Sequence, residues 1–396
     1  MSLVLIGAGL AAATAVTQLR EAGDSRPVTI VGDEGELPYE RPGLSKGVLL
    51  GAEPMDSVFV HDAAWYAEHD VRMILDDAAV TLDIAAGTVG LTSGDVLDYD
   101  DVILATGATA RRPPIPGVDL PGVHTLRRIP DSRALRQSWG PGRSVVVVGG
   151  GWIGLETAAA ARLAGADVTV LEAGDVPLHA ALGPTLGEHF AALHRSHGVD
   201  VRTGVLVTAI EGDGAVSAVR VGEETIPADV VVLGVGAAPN VALAEHAGLA
   251  VDDGIVVDDQ LRAAPHVYAI GDVATTEHAS GGRIRVEHWD NAIRQGRLAA
   301  QVLRGEDAHY DWSPYFFTDQ YDLGMEYVGR SAPEDEVTFR GDPASGEFLA
   351  FWTREDVLTA AMNVNIWDVS DDLRSLLGRT IAPDRLADPG VGLTEL

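Results

Sequence analysis

Two glycine-rich turns are the residues in this sequence whose spacing points most clearly to chemistry. The first runs from Gly7 to Ala12 after an apolar run, and the second runs from Gly149 to Gly154 after another. Such a turn between a strand and a helix lets the backbone approach a pyrophosphate, whose charge meets the unpaired N–H groups of the helix N-terminus. Two turns predict two bound dinucleotides. The predicted contacts are Gly7, Gly9, Leu10, Ala11, Ala12, Gly149, Gly151, Trp152, Ile153 and Gly154.

An acidic residue closes a second apolar run after each turn. These residues are Asp33 and Glu172. A carboxylate at this place can accept hydrogen bonds from ribose hydroxyls, which favours nucleotide sites over plain packing turns. At Glu172 it would also repel a 2′-phosphate, so the sequence favours NADH over NADPH. The alternatives for Glu172 are a solvated acid at a strand end, or a phosphate answered by Arg162 and Arg195.

Lys46 is the only lysine among 28 basic residues, and the rest are arginine. An ammonium group is a compact charge with three donors, and it can lie beside a flavin ring or a phosphate where a planar guanidinium would not fit. The alternative is chance survival of one lysine in a composition that avoids it.

The composition excludes several kinds of protein. The 396 residues carry a formal net charge of -31, which would repel nucleic acid and anionic membrane surfaces, so neither is an expected partner. Cysteine is absent, which excludes disulfides, thiolate metal sites and thiol redox chemistry. A redox role would therefore need a bound cofactor. The apolar strand pattern is established by Leu3 with no signal sequence before it, so we expect a cytoplasmic protein.

The duplicated strand–turn–helix pattern predicts an α/β fold with two doubly wound dinucleotide-binding domains. Further buried-strand patterns end at Ala105-Thr106-Gly107 and shortly before Gly236. After about Tyr315 the pattern becomes alternating and aromatic, which predicts a smaller antiparallel α+β domain.

The sequence resembles the NADH-dependent ferredoxin reductases of bacterial oxygenase systems, whose fold is like that of glutathione reductase. The resemblance covers essentially the whole chain. It implies an FAD-binding domain built from 1–107 and 235–315, an NAD-binding domain at 108–234 and a C-terminal domain at 316–396. The residues that carry it are the two turns, Pro38 to Lys46, Ala105 to Gly107, Gly234 to Asn240, Gly271-Asp272, Glu287 to Ala292 and Asp319 to Asp322.

The resemblance also implies roles for single residues. Lys46 resembles the lysine that pairs with a glutamate, here Glu156, beside the flavin nitrogen that accepts hydride. Trp289 would lie near the flavin and the nicotinamide, so Lys46, Glu156 and Trp289 are the predicted catalytic residues. Glu156 could equally serve as a helix N-terminal acid stabilised by the helix dipole. The cofactor-binding residues implied in addition to the turns and their acids are Arg41, Lys46, Val80, Ala105, Thr106, Gly107, Arg127, Glu156, Gly236, Gly271, Asp272, Glu287, His288 and Trp289.

The implied function is the transfer of electrons from NADH through FAD to a two-iron ferredoxin. That ferredoxin would supply an oxygenase, either a haem-thiolate monooxygenase or an aromatic-ring dioxygenase. Because the chain has no cysteine, electrons must leave directly from the flavin. The alternatives are rubredoxin, quinone or oxygen as the acceptor, or a flavin-bearing NADH-sensing protein.

A basic cluster in this acidic chain bears on where a ferredoxin would dock. We expect docking near Arg294, Arg297 and Phe317, because ferredoxins are typically acidic and a local basic patch would orient them. The alternative is a set of arginines that solvate a helix face. Phe317 stands where relatives often have tryptophan, which leaves the identity of the acceptor open. The four arginines of the cluster are Arg285, Arg294, Arg297 and Arg304.

His194 and His197 stand one helical turn apart, a spacing that could bind a metal ion. No third ligand is nearby in the sequence, and histidine is common at helix C-termini. We therefore interpret the pair as structural.

Overall fold

The computed structural model describes residues 1–278 and 282–396. The chain forms two compact units, each assembled from three segments. Within the described ranges, no helix is both long and apolar enough to cross a membrane. The first unit is Met1–Pro42, Met55–Thr109 and Ala237–Pro314, and the second is Gly43–Pro54, Ala110–Gly236 and Tyr315–Leu396.

A six-stranded sheet forms the centre of the first unit. Leu3–Ile6 is buried along its whole length, as expected for a parallel strand that is covered on both faces. Neighbouring strands in this sheet are parallel, except that Arg262–Ala264 and Val267–Ala269 are antiparallel. In spatial order the strands are Arg262–Ala264, Val267–Ala269, Asp101–Leu104, Leu3–Ile6, Val28–Val31 and Val71–Ile74.

Two helices of the first unit, Leu10–Glu21 and Trp289–Leu303, pack closely against each other. A Cβ at Gly296 would lie 2.6 Å from the backbone oxygen of Ala11, so glycine is required for this approach of the two backbones. Ala11 and Ala15 of the first helix lie opposite Gly296, and their small side chains also allow the two helices to approach closely.

Smaller elements complete the first unit. An antiparallel sheet contains Ala79–Asp83, Thr88–Leu91 and Val96–Asp98, and a mixed sheet contains Ile255–Val257, Ala274–Glu277 and Arg283–Arg285. The short helices are Ala63–Glu68 and Ala242–His246. The strands Ala108–Ala110 and Ala237–Pro239 stand where the chain passes between the units.

A five-stranded parallel sheet forms one part of the second unit. It is accompanied by an antiparallel sheet of Val207–Gly212, Val216–Val221 and Glu224–Pro227. The parallel strands are, in spatial order, Asp200–Arg202, Asp167–Leu171, Ser144–Val148, Val230–Leu233 and Val123–His124. The helices are Gly47–Leu50, Ile129–Ser138, Trp152–Leu163 and His179–Ser196, the last interrupted at Gly183.

The C-terminal part of the second unit is an antiparallel sheet with two helices, Ser370–Leu376 and Pro383–Ala387. Phe348, Phe351 and Trp352 are fully buried, so these aromatic residues belong to the core. The strands are, in spatial order, Tyr315–Gln320, Leu323–Gly329, Val357–Val364, Glu347–Arg354 and Glu336–Asp342.

The predicted α/β class, the two doubly wound sheets and the antiparallel C-terminal part are confirmed. The residue boundaries of the three domains stay a prediction, since the two compact units follow a different division of the chain. In particular, Gly43–Pro54 belongs to the second compact unit, whereas the sequence placed it in the FAD-binding domain.

Candidate active site

The first glycine-rich turn leaves an open helix N-terminus. Gly7 has a φ of 110°, and a Cβ there would lie 2.1 Å from the backbone oxygen of Ala105, so this position requires glycine. Gly9 begins the helix Leu10–Glu21 without a side-chain cap, and a Cβ at Gly9 would meet no atom within 4 Å. The N–H groups at this helix end are therefore free of a capping side chain and face room for a phosphate.

Four segments predicted to bind a cofactor follow parallel strands of the first sheet. Besides the turn, these are Asp33, Ala105 to Gly107 and Gly271-Asp272. The carboxyl ends of neighbouring parallel strands meet at one edge, which is where doubly wound folds bind their ligands. Asp33 is exposed there, as an acid that accepts ribose hydroxyls must be.

A second polar cluster of the first unit surrounds Arg41. Its guanidinium pairs with Glu34 at 3.0 Å and donates to the Tyr39 hydroxyl at 2.8 Å. Burial raises the pKa of Tyr39, so its hydroxyl stays protonated and donates to Glu34. The Trp289 indole Nε1 donates to Glu40 at 3.0 Å, so Trp289 lies beside the segment that carries Arg41.

The second turn repeats the geometry of the first. Gly149 has a φ of 103°, and a Cβ at Gly154 would lie 2.1 Å from the Gly149 oxygen, so both positions require glycine. Gly151 begins the helix Trp152–Leu163 without a side-chain cap. A Cβ at Gly151 would lie 3.7 Å from the backbone oxygen of Gly234, an ordinary van der Waals contact, so the protein itself would tolerate a methyl group there.

Glu172 supports this second turn directly. One carboxylate oxygen accepts from the Gly150 N–H at 2.6 Å, and the other accepts from the Gly174 N–H at 2.7 Å. Each carboxylate oxygen has two lone pairs, so both can still accept a ribose hydroxyl. The backbone thus holds Glu172 beside the turn, directly after the strand Asp167–Leu171.

Lys46 and Glu156 form an ion pair in the second unit. The Lys46 Nζ lies 2.7 Å from Glu156 Oε1, and the two side chains are 15% and 2% exposed. Ser45 Oγ donates to Glu156 Oε2 at 2.5 Å, and Thr318 Oγ1 donates to Oε1 at 2.6 Å. The carboxylate of Glu156 therefore accepts from three donors, Lys46, Ser45 and Thr318. A buried ion pair needs such additional hydrogen bonds to offset the loss of water.

Local structure explains how a loop lysine reaches a helix residue. Pro42–Ser45 forms a 3₁₀ turn, and Lys46 begins the short helix Gly47–Leu50. The Ser132 hydroxyl donates to the Leu44 backbone oxygen at 2.9 Å and anchors this segment. Lys46 Nζ also lies 5.3 Å from the centre of the Phe317 ring, which suits a cation over an aromatic face.

Ser45 and Thr318 are contacts of Glu156 that sequence reasoning missed. Ser45 lies within the segment Pro38 to Lys46 that carries the family resemblance, and Thr318 directly precedes the Asp319-Gln320 pair. These positions were a usable signal, but no sequence pattern showed that the two hydroxyls would both donate to one carboxylate.

The remaining predicted cofactor residues have these positions. Val80 lies on the strand Ala79–Asp83 and is half exposed, and Ile153 is 42% exposed. The Arg127 backbone N–H donates to Asp131 at 2.9 Å, and the Trp152 ring lies 4.3 Å from that of Phe316. Gly236 follows the strand Val230–Leu233 with a φ of 91°. Glu287 pairs with Arg285, and His288 begins the helix Trp289–Leu303.

The predicted basic cluster is largely neutralised by nearby acids. Arg285 is paired with Glu287, and Arg304 lies 3.2 Å from Glu306. Arg294 pairs with Asp290 at 3.2 Å and lies 3.6 Å over the Trp312 ring. Arg297 is exposed on the same helix. These ion pairs reduce the net field that the four arginines would produce.

His194 contacts Gln320, the last residue of the strand Tyr315–Gln320, and His197 contacts Tyr321 in the turn that follows. His194 Nε2 lies 2.8 Å from Gln320 Oε1, and the His197 ring stacks on Tyr321 at 3.7 Å. Among the described residues, no group of three or more potential ligands is placed to hold a metal ion.

The buried His194 predicts a pH dependence of stability. Burial lowers its pKa to about 4, whereas an imidazole in the unfolded chain has a pKa of about 6.5. Because the unfolded chain then binds the proton more tightly, His194 contributes stability above pH 6.5 that is lost as the pH falls toward 4, by about 3 kcal/mol at most. Urea unfolding should show that the free energy of unfolding falls less between pH 6.5 and pH 4 in His194→Gln than in the wild type. Equal losses in the two proteins would show that His194 is not the group responsible.

A family model described as pyridine nucleotide-disulphide oxidoreductase matches residues 1–296. This chain belongs to the pyridine nucleotide-disulphide oxidoreductase family. A second family model, described as reductase C-terminal, matches residues 315–396, which contain the C-terminal antiparallel sheet.

Several known proteins are similar to this chain over most of their length. Rhodocoxin reductase from Rhodococcus erythropolis is 40% identical over 355 residues, which cover 89% of this chain and 83% of that protein. The ferredoxin–NAD(+) reductase component of the anthranilate 1,2-dioxygenase system from Burkholderia cepacia is 39% identical over 399 residues, 98% of each chain. A chain in the crystal structure of the covalent putidaredoxin reductase–putidaredoxin complex superposes with a TM-score of 0.95 at 31% identity, covering 100% of this chain and 97% of that one. The resemblance found in the sequence is thereby confirmed.

Proposed function

We propose that this chain is an NADH-dependent ferredoxin reductase that holds FAD and passes electrons to a two-iron ferredoxin, which supplies an oxygenase. Its relatives support this, since one is the ferredoxin–NAD(+) reductase component of a dioxygenase system and another is a reductase in complex with putidaredoxin. The structural observation that carries the proposal is the buried Lys46–Glu156 pair, with Glu156 on the helix that follows the second turn.

FAD fits the first unit. The open N-terminus at Gly9 suits its pyrophosphate, and the exposed Asp33 suits a ribose. Arg41 and Asp272 would hold the remaining polar groups, with Arg41 oriented by Glu34. When bound, FAD supplies the coupling between the electron pair of NADH and carriers that take one electron at a time.

NADH fits the second unit. Gly151 begins a helix without a side-chain cap, and the Glu172 carboxylate is held beside the turn by two backbone N–H groups. A fixed negative charge at this position accepts a free 2′-hydroxyl and repels a 2′-phosphate. The preference for NADH over NADPH is therefore assigned to Glu172.

Lys46 would supply positive charge where negative charge develops during reduction. Glu156 and Phe317 hold its ammonium group in place before the reaction, and Ser45 donates to the other oxygen of Glu156, so no reorganisation is needed when the charge appears. Because the pair is largely removed from water, the effect of the charge is stronger than it would be at the surface.

The absence of cysteine bears on the acceptor. The family name includes disulphide chemistry, but this chain has no cysteine to take part in it. Electrons would leave directly from the flavin, and a two-iron ferredoxin suits such single-electron transfer. Rubredoxin, quinone or oxygen would be the acceptor if ferredoxin gave no stimulation. We also propose a cytoplasmic location, because NADH is generated and used there.

Single methyl groups should separate the two nucleotide sites. In Gly9→Ala the new Cβ meets no protein atom, so the fold should persist, yet the methyl group fills the space of the FAD pyrophosphate. We expect FAD retention to fall by about tenfold or more, since the lost backbone contacts are charge-assisted hydrogen bonds. Gly151→Ala should keep FAD and raise the KM for NADH by a similar factor. Flavin content after gel filtration and steady-state kinetics measure the two effects.

Gly7→Ala is the matched control for these variants. Its Cβ would lie 2.1 Å from a backbone oxygen, so we expect a loss of folding and not a selective loss of FAD. Full flavin content in Gly9→Ala would refute the placement of the pyrophosphate at this turn.

The cofactors themselves can be tested directly. Mass spectrometry of the small molecule released by heat should identify FAD, and anaerobic NADH should bleach the flavin spectrum of the intact protein. Release of another cofactor, or no bleaching by NADH, would refute the proposed function.

A further inference from the structure

A chain of buried hydrogen bonds extends from Glu156 into the C-terminal sheet. Thr318 Oγ1 donates to Glu156 Oε1 at 2.6 Å, and Gln320 Nε2 donates to Thr318 Oγ1 at 3.2 Å. Gln320 Oε1 lies 2.8 Å from His194 Nε2, and His194 Nδ1 lies 3.2 Å from the Tyr321 hydroxyl. The four residues from Glu156 to His194 are each at most 3% exposed.

The donors and acceptors in this chain allow one consistent direction. The Gln320 Oε1 beside His194 Nε2 can only accept, so His194 carries its proton on Nε2 and donates to this oxygen. Burial lowers the pKa of His194 and raises that of Tyr321, so the neutral imidazole accepts at Nδ1 from the Tyr321 hydroxyl. That leaves the Gln320 NH₂ to donate to Thr318, whose hydroxyl donates onward to Glu156.

The last bond of the chain ends on the oxygen that binds Lys46. Glu156 Oε1 accepts from both Lys46 Nζ and Thr318 Oγ1, while Oε2 accepts from Ser45. A carboxylate on a flexible side chain can rotate, and a second donor at Oε1 fixes the orientation that keeps this oxygen against the ammonium group. Thr318 and Gln320 lie two residues apart on one strand and so point to the same face of the sheet.

We propose that Thr318, Gln320 and His194 are positioning residues that hold Glu156 in the orientation that pairs with Lys46. This inference rests on the proposed function, because it gives the C-terminal sheet a part in the reaction with NADH. No residue of the chain from Thr318 to His194 need touch a cofactor for this role; each acts through the next.

The single lysine provides a readout that does not depend on turnover. Protein labelled with ¹⁵N-lysine gives one ammonium signal, that of Lys46, and the exchange of its protons with water reports how firmly the ion pair is held. In Thr318→Val, which keeps the shape of the side chain and removes the hydroxyl, we expect this exchange to accelerate about tenfold, as expected for losing a hydrogen bond to a charged group. The reduction of the flavin by NADH should slow by a similar factor, with the KM for NADH little changed.

Two matched variants separate positioning from general destabilisation. Thr318→Ser retains the hydroxyl and should restore both the exchange rate and the reduction rate to within about twofold of the wild type. Thr359→Val removes a hydroxyl that donates to the buried Asp335 at 2.8 Å in the same sheet, away from Glu156. It should lower stability and leave both readouts unchanged.

The outcomes distinguish this inference from the proposed function. Unchanged exchange and reduction rates in folded Thr318→Val would overturn the positioning role, and so would equal effects in Thr359→Val. If Thr318→Val fails to fold, Gln320→Met removes the next hydrogen bond of the series, the one that Gln320 donates to Thr318. The positioning role then requires faster ammonium exchange and slower flavin reduction in Gln320→Met. If the wild type is not reduced by NADH, the proposed function fails, while the ammonium exchange still tests the orientation of Glu156.

Discussion

Replacing Lys46 with methionine is expected to slow the reduction of the flavin by NADH by about 10²- to 10³-fold, the effect typical of removing one preorganised donor from an active site. Methionine keeps much of the length and apolar volume of the lysine stem but has no charge. The variant would leave Glu156, which is 2% exposed, with hydroxyl donors only. Its free energy of unfolding should fall by about 3–5 kcal/mol, as for other buried pairs from which one partner is removed. Stopped-flow absorbance and urea unfolding measure the two effects.

Arg354→Met is the matched control for Lys46→Met. Arg354 pairs at 2.8 Å with Asp335, whose side chain is fully buried in the same unit. Removing this cation should lower stability while the rate of flavin reduction stays within about twofold of the wild type, because no active-site donor is lost. The ion pair would have no role in the reaction if Lys46→Met were reduced as fast as the wild type.

Glu172→Gln is expected to narrow the preference for NADH over NADPH by about 10- to 100-fold in kcat/KM. The amide removes the charge that repels a 2′-phosphate and one of the oxygens that accept ribose hydroxyls, and a hydrogen bond to a charged group contributes about 1.5–3 kcal/mol. The KM for NADH should rise while that for NADPH falls or stays constant. Steady-state kinetics with both nucleotides measure the change.

The design of this variant follows from the contacts of Glu172 with the turn. Both carboxylate oxygens accept backbone N–H groups, so alanine would remove the support of the turn along with the charge. Glutamine retains one acceptor for that support. Glu211→Gln, which alters an acid paired with Arg220 in the same unit, is the control and should leave the preference unchanged. Equal changes in the KM for both nucleotides would remove the specificity role of Glu172.

The local parts of the fold could be predicted because they depend on short patterns. The turns at Gly7 and Gly149 need glycine for a positive φ and for close backbone approach, and both requirements are visible in the sequence. The antiparallel C-terminal part was likewise visible as alternating aromatic residues.

Contacts between distant segments could not be predicted in the same way. Thr318 reaches Glu156 across 162 positions in sequence, and nothing in a hydroxyl residue on a strand indicates which carboxylate it will meet. His194 was interpreted as structural, but its partner Gln320 lies in another element. The sequence also did not show that acids such as Asp290 and Glu306 pair with arginines of the basic cluster, because pairing depends on the folded positions of both side chains.

The placement of Lys46 combines both cases. Its uniqueness marked it in the sequence, and the family resemblance named Glu156 as its partner. The packing of the short helix Gly47–Leu50 against Ile129–Ser138 and Trp152–Leu163 could not be read from the sequence. It brings Lys46 and Glu156 together, and the hydrogen bond from Ser132 to Leu44 supports it.

The central claim is that electrons pass from NADH through this protein to a two-iron ferredoxin. The most direct test is cytochrome c reduction driven by NADH, with the purified flavin-loaded protein, in the presence and absence of a two-iron ferredoxin. The account predicts a rate that depends strongly on ferredoxin and saturates with its concentration. Rapid flavin reduction by NADH without stimulation by ferredoxin would contradict the assigned acceptor and favour rubredoxin, quinone or oxygen.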